Sequence, residues 1–190
     1  MIETIVIEKA TPAFVESFCK TVGMVAKERK FLGNTVGFPL ESTKQYIQKI
    51  VSHNYAQYYA IEEDEIIGWC DIIPKSNEGM KHVGILGLGI LNEYRGNGIG
   101  TELLKITLEH ARKINKLEKV ELETFESNKY AIELYKRMGF NIEGRKPKAR
   151  KLDDEYDNII LMGKFLYILA NSNITYTKTI KHIFATVDRN

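Results

Sequence analysis

An α/β fold (α+β mixed sheet), with a central sheet of about seven strands and helices on both faces, is what this chain predicts. Three observations predict it. Apolar residues recur at helical or strand spacing in the order βααβββαβαββ. Hairpin signals stand toward both ends of that order. Between them strand and helix alternate as βα units, which place helices against the faces of a sheet.

The first strand is expected at Thr4–Glu8, ahead of Thr11-Pro12, where a capping residue precedes a proline at the first helical position. Phe14, Phe18 and Val22 follow at four-residue steps and mark the buried face of that helix. Gly33, Gly37 and Pro39 break the pattern before a second helix, which opens on the capping-box spacing Ser42-Thr43-Lys44-Gln45 and carries Tyr46, Ile47 and Ile50. Tyr55–Glu62 and Ile66–Ile73 read as a hairpin turned by Glu63-Asp64-Glu65 and stopped by Pro74. After the polar connection Lys75–Lys81 comes a strand at Val83–Leu91, then a helix whose Leu103, Leu104, Ile106, Thr107, Leu108 and Ala111 make a broad apolar face. Lys119–Phe125 alternates Val120, Leu122 and Thr124 with Glu121, Glu123 and Phe125, giving one apolar and one acid-bearing face. A helix at Asn128–Met138 ends on Gly139, a left-handed terminator, and strands at Phe140–Glu143 and Tyr156–Phe165 finish the fold.

Composition bounds the function. At 190 residues, 44% hydrophobic and 27% charged, the chain is long enough for one domain with a substantial core. Lys and Arg outnumber Asp and Glu by only 27 to 25, so no bulk charge points to nucleic acid or an anionic membrane. Recognition of a phosphate must therefore be local. Cys19 and Cys70 show no metal or redox spacing and read as packing residues in a reducing compartment. Met1-Ile2-Glu3-Thr4 opens no secretory signal and no apolar run approaches membrane length, so the expected location is cytoplasmic. His53, His82, His110 and His182 form no ligand spacing, so no metal is expected.

The most informative stretch is Tyr94-Arg95-Gly96-Asn97-Gly98-Ile99-Gly100-Thr101, between a strand and an amphipathic helix. Glycines at such a turn let backbone N–H groups approach a phosphate, and the positive end of the helix dipole adds attraction. Arg95 adds a mobile cation. A Walker loop needs Lys-Ser or Lys-Thr after its last glycine, whereas Gly100 is followed by Thr101-Glu102. A dinucleotide fingerprint needs G-x-G-x-x-G, whereas the order here is Gly96-x-Gly98-x-Gly100. Neither fits.

What does fit is R-x-x-G-x-G, read as Arg95, Gly98 and Gly100, after the strand Gly87-Leu88-Gly89-Ile90-Leu91. This resembles the acyl-CoA pyrophosphate motif of the GNAT superfamily of N-acetyltransferases. A second block, Asn128 to Phe140, resembles that family's N-x-x-A-x-x-L-Y-x-x-x-G-F, with Ala131, Leu134, Tyr135, Gly139 and Phe140 in register. The resemblance covers residues 1–165 and implies the GNAT fold, in which the strand before the glycine loop splays from the strand after its helix. It also implies acetyl-CoA as co-substrate and direct attack of an amine on the thioester in a ternary complex. Cofactor contacts are then expected from Leu88, Gly89, Ile90, Arg95, Gly96, Asn97, Gly98, Ile99, Gly100, Thr101, Asn128 and Tyr135.

Within that resemblance Tyr135 is the expected general acid, since a neutral phenol can protonate a departing thiolate; helix periodicity alone also permits a packing role. Asn128 can cap its helix and bond the pantetheine arm. The strand before the loop, Ile85 to Ile90, carries no acid where many family members have one. Glu123 is the replacement expected as base, against a solvated or salt-bridged reading and against a water chain. Glu28, Phe31 and Phe38, around the break from Gly33 to Pro39, are expected to contact the acceptor. The end segment, Gly139 to Arg145 and Asp153 to Tyr156, resembles members acting on amino acids, polyamines or related small amines.

The expected function is therefore N-acetylation of a small primary amine. The alternatives are a protein N-terminal or lysine acetyltransferase and a non-catalytic acyl-CoA-binding regulatory module. No nucleic-acid or membrane partner is expected, and residues 166–190 read as an extra strand or the arm of a homodimer.

Overall fold

The structure, a computed structural model, describes residues 5–166. Strand β1 (Val6–Lys9) is followed by a 3-10 turn (Pro12–Phe14) and helices α1 (Val15–Lys27) and α2 (Leu40–Ser52). Strands β2 (Ala56–Glu62) and β3 (Glu65–Pro74) form a hairpin, and β4 (Val83–Ile90) runs through the glycine loop into α3 (Ile99–Lys113). Then come β5 (Lys119–Phe125), α4 (Lys129–Arg137), β6 (Asn141–Leu152) and β7 (Glu155–Phe165). The order is the expected βααβββαβαββ. The extension expected at residues 166–190 lies outside the described residues except for Leu166, whose N–H donates to the Glu118 carbonyl at 2.7 Å.

One sheet holds all seven strands in the order β1-β2-β3-β4-β5-β7-β6. Its neighbours are antiparallel except β4 and β5, which run parallel through the α3 crossover. The parallel pairing is short: Val83–Lys119, Gly84–Val120 and Ile85–Glu121, after which the two strands part. This splay is the feature that the resemblance implied, and it places a gap in the middle of the sheet.

Helices cover both faces. Successive strand residues point to opposite sides, so Tyr58 and Tyr59 report the two layers. Tyr59 meets Phe14 and Phe18, Phe18 also meets Trp69, and Thr21 donates to the Ile66 carbonyl at 2.6 Å, which seats α1 on one face. Tyr58 bonds His110 Nδ1 at 3.0 Å and so marks the opposite face, under α3. Leu103, Leu104 and Ala111 of α3 are fully buried there; each leucine contributes roughly 1.5–3 kcal/mol by leaving water.

Three local expectations need correction. Ser42 and Thr43 do not start α2; both hydroxyls donate back to the Pro39 carbonyl, at 2.8 and 3.1 Å, from within a helix that begins at Leu40. Strand β6 runs through Leu152 rather than stopping at Glu143. It is the last strand of the sheet, mostly exposed and rich in Lys and Arg, so it lacks the apolar alternation by which a strand is read. The β2–β3 turn is tighter than expected: Glu63 and Asp64 alone form it, both with positive φ (48° and 62°), as a two-residue hairpin turn of the primed type requires.

Candidate active site

A cavity of about 1050 Å³ occupies the splay. Its walls come from the end of β4 (Leu86 to Ile90), the glycine loop, the end of β5 (Glu123 to Phe125), helix α4, and the segment after α1 (Phe31 to Gly33). Its lining draws on both faces of the sheet, with Val25, Phe31 and Leu32 from the α1 side and Ile99, Gly100 and Thr101 from α3.

On the α3 side the loop is shaped for an anion. Gly96 and Gly98 have φ of +83° and +81°, and a Cβ on either would meet nothing within 4 Å, so the chain there is open toward a ligand. Gly98 is the N-cap of α3, and its carbonyl accepts from Thr101 and Glu102 N–H at 3.0 and 3.2 Å. The first N–H groups of the helix precede any carbonyl four residues back and point outward along its dipole. Ile99 is buried beneath, whereas Gly100 packs its α-carbon toward Leu134, Leu88 and Ile90. Asn97 is half-buried in the loop but is not on the cavity wall.

Arg95 is not the mobile cation expected of it. Its Nε donates to the Ile90 carbonyl at 2.9 Å, Nη1 and Nη2 donate to the Glu28 carboxylate, and its guanidinium lies 4.5 Å from the centre of the Phe31 ring. The side chain ties the glycine loop to the end of α1. Glu28 and Phe31, expected to contact the acceptor, are both engaged by this clamp, although Phe31 also lines the cavity. Phe38 is 52% exposed and is not on the wall; its carbonyl accepts a hydrogen bond from Cys19 Sγ.

Tyr135 projects from α4 into the cavity wall, is 6% exposed, and packs edge-on against Phe140. Burial first, and then the ionisable groups of Cys70 and Asp71 behind it, push its phenol above the ordinary range, so the group is neutral and protonated at working pH. Asn128 caps the same helix, its Oδ1 accepting from Ala131 N–H at 3.2 Å, and it also lines the cavity. Glu123 is on the wall too, but its carboxylate accepts from Lys146 Nζ at 2.5 Å and its side chain is 53% exposed. The β6–β7 hairpin closes this side: Arg29 pairs with Asp153 at 2.7 Å, and Arg150 stacks on the Phe125 ring at 4.5 Å.

Sequence reasoning passed over Asp71. It lies on β3 directly across from Gly87 and is only 9% exposed. Burial raises its carboxyl to about 7, a shift only partly offset by the hydrogen bond from the Tyr46 phenol. The available signal was an acid within the apolar run Ile66 to Ile73, facing a strand with glycine at alternate positions. Among the described residues no group of His, Cys, Asp and Glu is arranged to hold a metal, and no helix is long and apolar enough to cross a membrane.

A strand leading into an open glycine turn, a helix dipole behind it, and a parted sheet with a buried phenol opposite form the candidate site of an acyltransferase. The chain belongs to the acetyltransferase (GNAT) family, whose sequence profile matches residues 27–140, and it is an N-acetyltransferase. It is 30% identical over 110 residues to the spermine/spermidine N(1)-acetyltransferase of Bacillus subtilis, covering 55% of this chain and 72% of that one. It is 24% identical over 132 residues to the L-amino acid N-acetyltransferase AaaT of Escherichia coli, covering 69% and 82%. A GNAT superfamily phosphinothricin acetyltransferase from Sinorhizobium meliloti, solved in complex with AcCoA, shares the fold with a TM-score of 0.80 at 15% identity, covering 92% of this chain and 95% of that one.

Proposed function

We propose that the enzyme transfers the acetyl group of acetyl-CoA to the primary amine of a small molecule, of the amino acid or polyamine class, within a ternary complex. The observation that carries this is the open cradle at Gly96 and Gly98 beside a cavity lined from both faces of the sheet. Backbone N–H groups at the start of α3 bind the pyrophosphate, and Asn128 holds the pantetheine arm beside β4. The thioester supplies an electrophilic carbonyl in the splay. Tyr135, held neutral by burial, donates a proton to the departing sulfur. Main-chain N–H at Ile90 polarises the carbonyl.

The acceptor enters from the α1/α2 side, where Phe31, Leu32 and Phe125 give apolar walls. The relatives named for spermine, spermidine and L-amino acids support a small amine, while one named an N-alpha-acetyltransferase keeps a peptide N-terminus as the second acceptor to test. Calorimetric titration with acetyl-CoA, followed by CoA-thiol release with amino acids, polyamines and peptides, tests the reading. Saturable binding with amine-dependent thiol release supports it. Binding without release for any amine leaves a non-catalytic acyl-CoA module, and release with peptides alone moves the acceptor to proteins.

A further inference from the structure

The β4 strand carries no acid, yet a carboxylate stands against its glycine. Cross-strand register pairs Trp69 with Gly89 and Asp71 with Gly87. A Cβ built on Gly89 would run into the Trp69 ring at 2.1 Å, and one on Gly87 would stand 3.0 and 3.1 Å from the two Asp71 oxygens. The two glycines thus let β3 side chains lie flat across β4. Gly87 and Gly89 line the cavity and Asp71 does not, so the carboxylate fills the space of a β4 side chain on the α1/α2 face, directly behind the wall at Gly87.

Its surroundings hold no counter-charge. From α2 the Tyr46 phenol bonds it; Tyr59 on β2, the Tyr135 phenol on α4 and Cys70 on its own strand couple to it, and Gln57 on β2 is its partner in register. Among the described residues it pairs with no Lys or Arg. Gln57 and Tyr59 are fully buried, and neither the Gln57 amide nor the Tyr59 hydroxyl has a protein partner among the described residues. An acid buried beside unspent hydrogen-bonding groups and without a cation is a site for one that arrives with the substrate.

We propose that Asp71 is the proton acceptor for the incoming ammonium, reached across the bare backbone of Gly87; this rests on the N-acetyltransferase reading. One N–H bond of R–NH3+ breaks and its proton goes to an Asp71 oxygen. The freed lone pair forms the N–C bond to the acetyl carbonyl as the C–S bond breaks, and the sulfur takes the Tyr135 proton. The surplus proton on nitrogen returns to the Tyr135 oxygen. Asp71 passes its proton to solvent, and the balance is one amide, one CoA thiol and one proton.

The test is the pH profile of kcat/KM for Asp71→Asn, using the best amine of the panel, with acetyl-CoA Kd and thermal melting as checks on fold. Wild type should rise through an acid limb and then level, because the base is ionised while the amine is still an ammonium. In Asp71→Asn, turnover at pH 7.5 should fall at least about 100-fold. Its residual rate should climb about tenfold per pH unit toward the amine's own pKa, since solution must now supply the free base. Acetyl-CoA Kd should stay within about twofold. Tyr46→Phe, which removes a hydrogen bond that favours the carboxylate, should move the wild-type acid limb to higher pH. A wild-type rate and profile in Asp71→Asn overturns the proposal, and loss of the acid limb in Glu123→Gln alongside it moves the role to Glu123. If wild type itself releases no thiol with any amine, the N-acetyltransferase reading fails and takes the proposal with it.

Discussion

Arg95 Nη1 and Nη2 grip both oxygens of Glu28, at 2.8 and 2.5 Å, so the glycine loop is tied to the C-terminal end of α1. Side-chain exposures of 29% and 25% place this two-point pair where solvent screens it only in part. A double-mutant cycle with Glu28→Ala and Arg95→Ala, read on acetyl-CoA affinity, should give a coupling of about 1 kcal/mol, or about fivefold in Kd. Strictly additive effects would show that Arg95 meets the pyrophosphate by itself and that the clamp does not shape the loop.

The cradle makes a sharper demand at Gly98 than at Gly100. Gly98 sits at φ +81° with open space before it, whereas a Cβ at Gly100 meets Leu134 at an ordinary 3.5 Å. Gly98→Ala should therefore cost about 1 kcal/mol of stability from the left-handed backbone, and Gly100→Ala should cost little. Gly98→Glu adds bulk and like charge where the pyrophosphate binds and should weaken acetyl-CoA at least about 100-fold by calorimetry. Undiminished binding in that variant removes the phosphate assignment.

Tyr135→Phe isolates one oxygen. The ring's packing on Phe140 survives, so acetyl-CoA Kd and melting temperature should change little. Turnover should fall by about 100-fold if the phenol protonates the sulfur. Since burial raises its pKa, Tyr135 should impose no loss of rate across pH 7 to 9, and a wild-type alkaline limb in that window that vanishes in Tyr135→Phe contradicts this.

What the sequence made legible follows from where its signals come from. Gly96 and Gly98 announce their conformation because few other residues adopt it, and Phe18, Val22, Ile47 and Ile50 announce burial by spacing; all four are buried. Strand β6 gives no such signal, since an exposed edge strand has no apolar face to repeat. Arg95 shows its charge type in sequence but not its partner, because Glu28 lies 67 residues away and only the fold brings it near. The same holds for Asp71. A lone acid in a strand reads as a solvated residue until cross-strand register sets it over Gly87.

Asp71 also makes a prediction about stability, opposite in sign to the usual acid in an ion pair. Its folded pKa of about 7 stands above the ordinary value of about 4. Between those values the folded state keeps a proton that the unfolded chain has lost, so stability falls as pH rises through the window. Below pH 4 both states are protonated and the penalty vanishes; above pH 7 both are ionised and it stands in full. Asp71→Asn carries no such group and escapes it. Its melting temperature should match wild type near pH 4 and exceed it by at least about 5 °C at pH 8. A gap that does not widen with pH would mean that Asp71 is not desolvated in the folded state. A widening gap alongside lost turnover would show that the fold tolerates a destabilising buried carboxylate because the incoming ammonium needs it.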